Sequence, residues 1–434
     1  MSRRPLKKKS SAGYVTALAA DEKGNIFDLP GFAACGMAGS TPFLLSGEKC
    51  IRPPRGSELM YLPGRAPVVW DIAARRFVTL WENPFPPGGP LYPVAVFNSP
   101  AYLVLLHASY EEGPDAPWLP LFSYGACGMS GDSLISAAVR IDESDRQELR
   151  LMPVKKVEQG VALARMALPD NRLARHLETC ALTYGCPAGK NFFVGREEAP
   201  LPTSVTCNAR CLGCLSLQPE TGIPASQNRI SFTPNPEEIS ATALFHLGRV
   251  PGGVVSFGQG CEGEPLLAAR VIAPAVERIR ASTLDGTVNV NTNGSRPEAL
   301  AEIFDRGADS VRVSLNSARQ PLYEAYFRPS YEFSDVLRSL DEAGQRGKWI
   351  SLNYLNLAGF TDTEAEFAAL CDLLSRYPVS MIQWRNLNFD PLRYHAAMAK
   401  VEPAGPALGM DVLTARIRKL FPKLRFGYFN PPLR

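Results

Sequence analysis

The chain has 434 residues, of which 45% are hydrophobic and 21% charged, with a formal net charge of +3. This length exceeds one ordinary hydrophobic core and predicts two domains plus extensions, while the small net charge gives no signal for nucleic acid or an anionic membrane. There is no signal-type or membrane-spanning apolar run, so the sequence predicts a cytoplasmic protein whose ten cysteines serve metals, catalysis or burial rather than disulfides.

Residues 1–12 read as a disordered basic tail carrying Arg3, Arg4, Lys7, Lys8 and Lys9. From 13 to 153, short apolar runs alternate with Gly, Pro and charge: 58–62, 68–71, 76–81, 92–98, 102–107 and 134–142. Their lengths and breaks predict a β-rich N-terminal domain with no catalytic pattern of its own. Residues 154–200 read as a helical connector. Leu173, Leu177 and Leu182 form an apolar helical face over 171–182, and Gly185 and Pro187 end it.

The pattern changes at Leu201. Strand candidates at 202–206, 253–257, 288–291, 310–315, 349–355 and 379–385 alternate with helix candidates at 236–247, 266–281, 297–306, 334–345 and 363–375. Asn235 is a candidate N-cap with Pro236, Glu237 and Glu238 in the first turn, and Thr363 with Glu366 fits a capping box. Six βα-like units in series predict a parallel sheet with helices outside it, and chemistry at the C-terminal strand ends. The α/β core spans 201–398, and a C-terminal extension covers 399–434, with a helix near 411–420 and a strand-like aromatic run at 424–429.

After the first of these strands comes Cys207-Asn-Ala-Arg-Cys211-Leu-Gly-Cys214. Three soft thiolates within eight residues can wrap one inorganic centre: zinc, copper or an iron–sulfur cluster. A closed structural zinc site needs a fourth protein ligand. No further Cys or His lies nearby in sequence, and His246 falls in the following predicted helix. A four-iron cluster held by three thiolates would leave one iron open to a ligand. A zinc site with a distant fourth ligand stays open as the alternative.

The Cys-x3-Cys-x2-Cys loop after a first β-strand resembles the radical S-adenosylmethionine superfamily, over roughly residues 201–390. The resemblance implies a partial (β/α)6 barrel holding a [4Fe–4S] cluster on Cys207, Cys211 and Cys214. It implies reductive cleavage of S-adenosylmethionine to a 5′-deoxyadenosyl radical that abstracts hydrogen from a substrate. That substrate could be a small molecule or a protein, with a low-potential electron donor such as flavodoxin or ferredoxin. Gly263, Glu264 and Pro265 resemble the end of the family's Gly-Gly-Glu-Pro segment, which meets the cofactor's amino group; Glu262 replaces the first glycine. The resemblance also implies cofactor contacts from Asn293 and Ser314, and from Arg312 to a carboxylate. Many members place an aromatic before the third cysteine, where this chain has Gly213. A Gly-x-Thr-Asp turn at 359–362 reads as helix-capping architecture, and the polar end of the sixth strand, Gln383 to Asn388, as a wall of the barrel mouth.

Neither the catalytic residues nor the substrate can be read from the sequence. His176 and Cys180 are four apart, so one helical face could present both. Whether Cys180, Cys186 or Cys261 joins an auxiliary centre is left open, while Cys35, Cys50, Cys127 and Cys371 read as structural. Two other functions compete: a non-catalytic iron–sulfur or zinc module, and an activase forming a glycyl radical on a partner protein.

Overall fold

A computed structural model describes residues 13–146, 148–219 and 222–434. The basic run at 3–9 lies outside the described residues.

Seven parallel strands form the sheet of the core: Glu198–Pro200, Val254–Phe257, Thr287–Thr292, Ser310–Leu315, Trp349–Asn356, Met381–Asn386 and Arg425–Gly427, paired in that order. The first pairs with the second at 198–200, and no strand forms at 202–206, where the backbone is already turning toward the cysteine loop. The seventh comes from the C-terminal extension and extends the expected six units.

The strands alternate by face. Val255, Val288, Val290, Val311, Val313, Ile350, Leu352, Ile382 and Trp384 are fully buried in the main core. The partnered rows between them carry Ser256, Asn289 and Ser310, then Asn291, Arg312 and Ser351, then Ser314, Asn353 and Gln383. Side chains of a strand point alternately to opposite faces, so this period-two pattern makes an apolar outer face for the helices and a polar lumen.

Helices connect the strands: Pro236–Leu247, Ala269–Ser282, Pro297–Asp305, Gln320–Phe327 with Phe333–Gln345, and Glu364–Arg376. Asn235 makes a complete capping box with Glu238, each bonding the other's backbone N–H. At Thr363 only half of the expected box forms. Its hydroxyl accepts from the Glu366 N–H, but the Glu366 carboxylate turns inward to Ser317 and Arg319. In the connector, Pro187 opens rather than ends a helix: Val154–Ala167, Arg172–Leu182 and Pro187–Val194 follow one another, with proline at a first-turn position where its missing N–H costs nothing.

The N-terminal region is all antiparallel, with a nine-stranded sheet and smaller sheets of three and two strands. It packs on the C-terminal ends of the fifth and sixth barrel strands. Asn356 Nδ2 donates to the Val104 carbonyl at 2.9 Å, and Asn386 takes the Val104 N–H at 2.9 Å while donating to Tyr102 O at 2.8 Å. The buried Arg65 guanidinium bonds Asp390 at 2.7 Å, and Gly39 N donates to Ala358 O at 2.8 Å. At Gly359 a Cβ would lie 1.9 Å from Gly39 N, so only glycine admits this approach.

The opposite end of the sheet is closed by residues 428–434. Asn430 donates to Glu198, Ser256 and Asn291 and accepts from Gln383, and Leu433 N donates to Thr287 Oγ1.

Candidate active site at the strand ends

The cysteine loop is fastened on both sides. Arg210 N and Leu212 N donate to the carbonyls of Phe327 and Tyr326, and Ser330 N donates to Asn208 O at 2.9 Å. The first two bonds use the free carbonyls at the end of the helix Gln320–Phe327. Asn208 also bridges to the third strand end, accepting from Asn293 Nδ2 and donating to Ser295 Oγ, each at 2.9 Å. Gly213 faces the Tyr326 hydroxyl, which lies 3.0 Å from where a Cβ would stand, so no bulky residue fits here without displacing that tyrosine.

The three thiols are partly buried and free. Their sulfurs do not all lie within 4.8 Å of one another. A tetrahedral zinc with bonds of about 2.3 Å would bring its sulfurs within about 3.8 Å. Among the four histidines of the chain, none completes this set: His246 is buried against the Glu197 carbonyl, and His176 sits with Cys180. Three thiols with no fourth Cys or His beside them fit a centre that keeps one metal position open. Burial, then the neighbouring Glu264, pushes the Cys207 thiol up to about 11. Burial, then Cys207 and Cys214, pushes Cys211 well above its ordinary value. Charged sulfurs here call for a compensating cation, which a metal supplies.

Across from the loop, Gly263 N donates to Ser204 O at 2.7 Å and Glu264 N to Thr206 O at 2.8 Å. A Cβ at Gly263 would stand 1.9 Å from Thr206 O, so glycine is required for this backbone pairing beside Cys207. Glu264 is buried. One oxygen accepts from Leu266 N at 3.0 Å and from the Thr292 hydroxyl, the other from Asn293 N at 2.9 Å. Burial pushes its carboxyl up to about 7 against those hydrogen bonds.

Glu262 does something the sequence did not suggest. It takes four backbone N–H donors: Thr203 and Ser204 on one oxygen, Gly258 and Gln259 on the other, at 2.7–2.9 Å. It thus stitches the segment before the cysteines to the glycine-rich turn, with both oxygens engaged inside the protein.

In the lumen, Ser314 Oγ accepts from Asn353 at 3.2 Å, and Arg312 Nη1 donates to Gln383 at 2.6 Å, while Arg312 Nε is buried without a partner. Burial, then the nearby Arg385, brings the Arg312 guanidinium down to about 10. Burial alone would raise Glu198, but Arg146 and Arg312 hold it below its ordinary value. Of the polar wall expected at the sixth strand, Asn386 is occupied in docking the N-terminal region and Gln383 in the lumen network.

The structure adds Arg229, whose Nε donates to Ser216 Oγ at 3.2 Å and whose Nη2 lies 3.9 Å from Cys214 Sγ. No local pattern marks it; it comes fifteen residues after Cys214 in a loop. Tyr326 was equally silent, and its helix, Gln320–Phe327, lies outside the helix candidates read from the sequence.

Residues 201–374 match the model of the Radical SAM superfamily. A comparison with curated proteins finds no match. Solved structures that resemble the chain include a radical SAM methyltransferase from Sphaerobacter thermophilus (16% identity, 53% of this chain and 66% of that one, TM-score 0.37). Others are methylornithine synthase PylB (14%, 65% and 74%, TM-score 0.37) and Streptococcus suis SuiB bound to precursor peptide SuiA (13%, 59% and 52%, TM-score 0.37). The chain thus spans just under two thirds of the methyltransferase and about half of SuiB. Residues 201–374, the half-barrel with its three-cysteine loop, thus form a radical SAM domain, of a superfamily whose members are enzymes built on a [4Fe–4S] cluster and S-adenosylmethionine.

Proposed function

We propose that the chain reductively cleaves S-adenosylmethionine and directs the resulting radical at a substrate held over the polar lumen. The observation that carries this reading is the cysteine loop: three fastened thiols beside Glu264, with no fourth Cys or His to close the site. When bound, the reduced cluster supplies one electron to the sulfonium, whose C–S bond breaks to give methionine and a 5′-deoxyadenosyl radical that takes a hydrogen atom from substrate.

The chain's own part is to bind and orient. Cys207, Cys211 and Cys214 hold the cluster. Glu264 and the backbone at Gly263 present negative and carbonyl oxygen to the cofactor's ammonium, a charge-assisted contact in a partly dry site. Asn293 and Ser314 offer short polar groups to ribose hydroxyls, and Arg312 offers its guanidinium to a carboxylate. The buried, unpartnered Arg312 Nε supports that role. The N-terminal region, fixed to the ends of the fifth and sixth strands, shields one side of the mouth and favours a compact substrate over a large folded one. No helix among the described residues is long and apolar enough to cross a membrane. A reducing cytoplasm with a low-potential donor such as flavodoxin or ferredoxin suits a centre held by free thiols.

The test is anaerobic reconstitution with iron and sulfide, then incubation with S-adenosylmethionine and dithionite. The reading expects 5′-deoxyadenosine from the intact chain. A full cluster that yields none would assign the chain to non-catalytic iron–sulfur modules, and glycyl-radical formation on an added protein would assign it to the activases.

A further inference from the structure

A second group of soft donors lies away from the cysteine loop. His176, Cys180 and Cys261 bring one ligand atom each within 4.8 Å of one another, and Cys180 Sγ is 3.5 Å from His176 Nε2. Both cysteines are buried and the histidine is half-buried. His176 and Cys180 share a face of the helix Arg172–Leu182, one turn apart, while Cys261 comes from the glycine-rich turn after the second barrel strand. The His176 ring is held edge-on by Phe232, 6.4 Å between centroids. Cys186, at the start of the next helix, is tied to the same segment through its backbone, its N–H donating to Cys180 O at 2.9 Å, while its thiol stands outside the 4.8 Å group. The three cysteines are free, not paired as disulfides.

We propose that His176, Cys180 and Cys261 bind a single zinc ion, with the Cys186 thiol moving in as the fourth ligand, and that the ion staples the helical connector to the turn carrying Glu262 and Glu264. Two or three sulfurs with one imidazole are the donor set of closed structural zinc sites, which are tetrahedral. The compactness separates this group from the cysteine loop: donor atoms this close suit one ion and leave no space for a four-iron core. A contraction of about 1 Å brings the three donors to zinc-binding separation. The site also explains why a histidine sits against two thiols in the interior, where apolar packing would serve burial equally. Hydrogen bonding from Cys261 outweighs the burial that raises it and, with the bond from His176, holds the Cys180 thiol below its ordinary value.

The consequence is mechanical. Cys261 lies between Gly258 and Glu264, so the ion would fix the turn from outside while Glu262 fixes it from within. The proposal is independent of S-adenosylmethionine cleavage, and its test avoids the cluster. The full-length chain with Cys207, Cys211 and Cys214 all changed to Ala is isolated anaerobically from medium containing zinc and iron. About one zinc per chain is expected. Replacing that zinc with cobalt should give the visible bands of tetrahedral cobalt with thiolate charge transfer. Adding His176→Ala or Cys261→Ser should abolish the stoichiometric zinc, and Cys186→Ser should weaken it at least tenfold. Should the added variants fail to fold, the cobalt spectrum of the triple variant decides alone. Absence of zinc with no cobalt spectrum would overturn the proposal. So would an iron–sulfur cluster in the triple variant, or a mass lower by two hydrogens that maps to a Cys180–Cys261 disulfide.

Discussion

The two groups of soft donors in this chain are built in opposite ways. Cys207, Cys211 and Cys214 come from one eight-residue loop, yet their sulfurs stay apart. His176, Cys180 and Cys261 come from segments up to 85 residues apart, yet their donor atoms converge. Proximity in sequence made the first visible at once and said nothing of its spread; tertiary folding made the second compact and kept it hidden. Ligand spacing along a chain therefore indicates which residues share a centre, and only the fold says how large that centre is.

Changing Cys207, Cys211 and Cys214 together to Ala should break the comparison most completely. Iron in the reconstituted protein should fall to background, and 5′-deoxyadenosine formation should vanish with it, as read by iron assay and chromatography. Loss of zinc along with the iron would show that the two groups are one system.

The next largest effect should come from Glu262→Gln. An amide can accept with only one of its two ends, so two of the four backbone N–H groups would face a donor. Leaving two buried donors unpaired should cost about 2–4 kcal/mol, measurable by urea unfolding. An unchanged midpoint would mean that the turn is held from the connector side instead.

Glu264→Gln tests the acid nearest the loop. Weaker cofactor binding by roughly 1.5–3 kcal/mol, the scale of a charged hydrogen bond, is expected by calorimetric titration, with cluster iron retained. Equal affinity would restrict Glu264 to holding Thr292 and Asn293 in place.

Arg229→Ala should have the smallest effect. It removes a cation 3.9 Å from Cys214 Sγ, so the oxidised cluster gains relative stability and the potential should fall by on the order of tens of millivolts. Redox titration followed by electron paramagnetic resonance reads this shift, and a rise would contradict it.

Much of the barrel was legible because its strands obey a local rule. Apolar positions such as Val288, Val290 and Val311 face the helices, and Asn289 and Asn291 face the lumen. What escaped depends on partners distant in sequence. Glu262 read only as the residue in place of the family's first glycine, because nothing in the glycine-rich turn announces the amides of Thr203 and Ser204. The run at 424–429 read as an extension, because a three-residue strand has too few positions to show a period. The N-terminal strands showed in their alternation, but their pairing order did not, since antiparallel partners are chosen by packing across the sheet.

The closure of the lumen by residues 428–434 bears on how the molecule is made. The sixth strand ends at Asn386, and Asn430 must reach back to Glu198, Ser256 and Asn291. At about 5–20 residues per second, the ribosome needs on the order of 2–9 s to extend the chain from one to the other. During that interval the nascent barrel has its cysteine-bearing rim in reach while its far end stands open to water, with Glu198 and Arg146 lacking their final partner. The order of synthesis thus makes closure of the far end, not of the cysteine-bearing rim, the last step in completing the barrel.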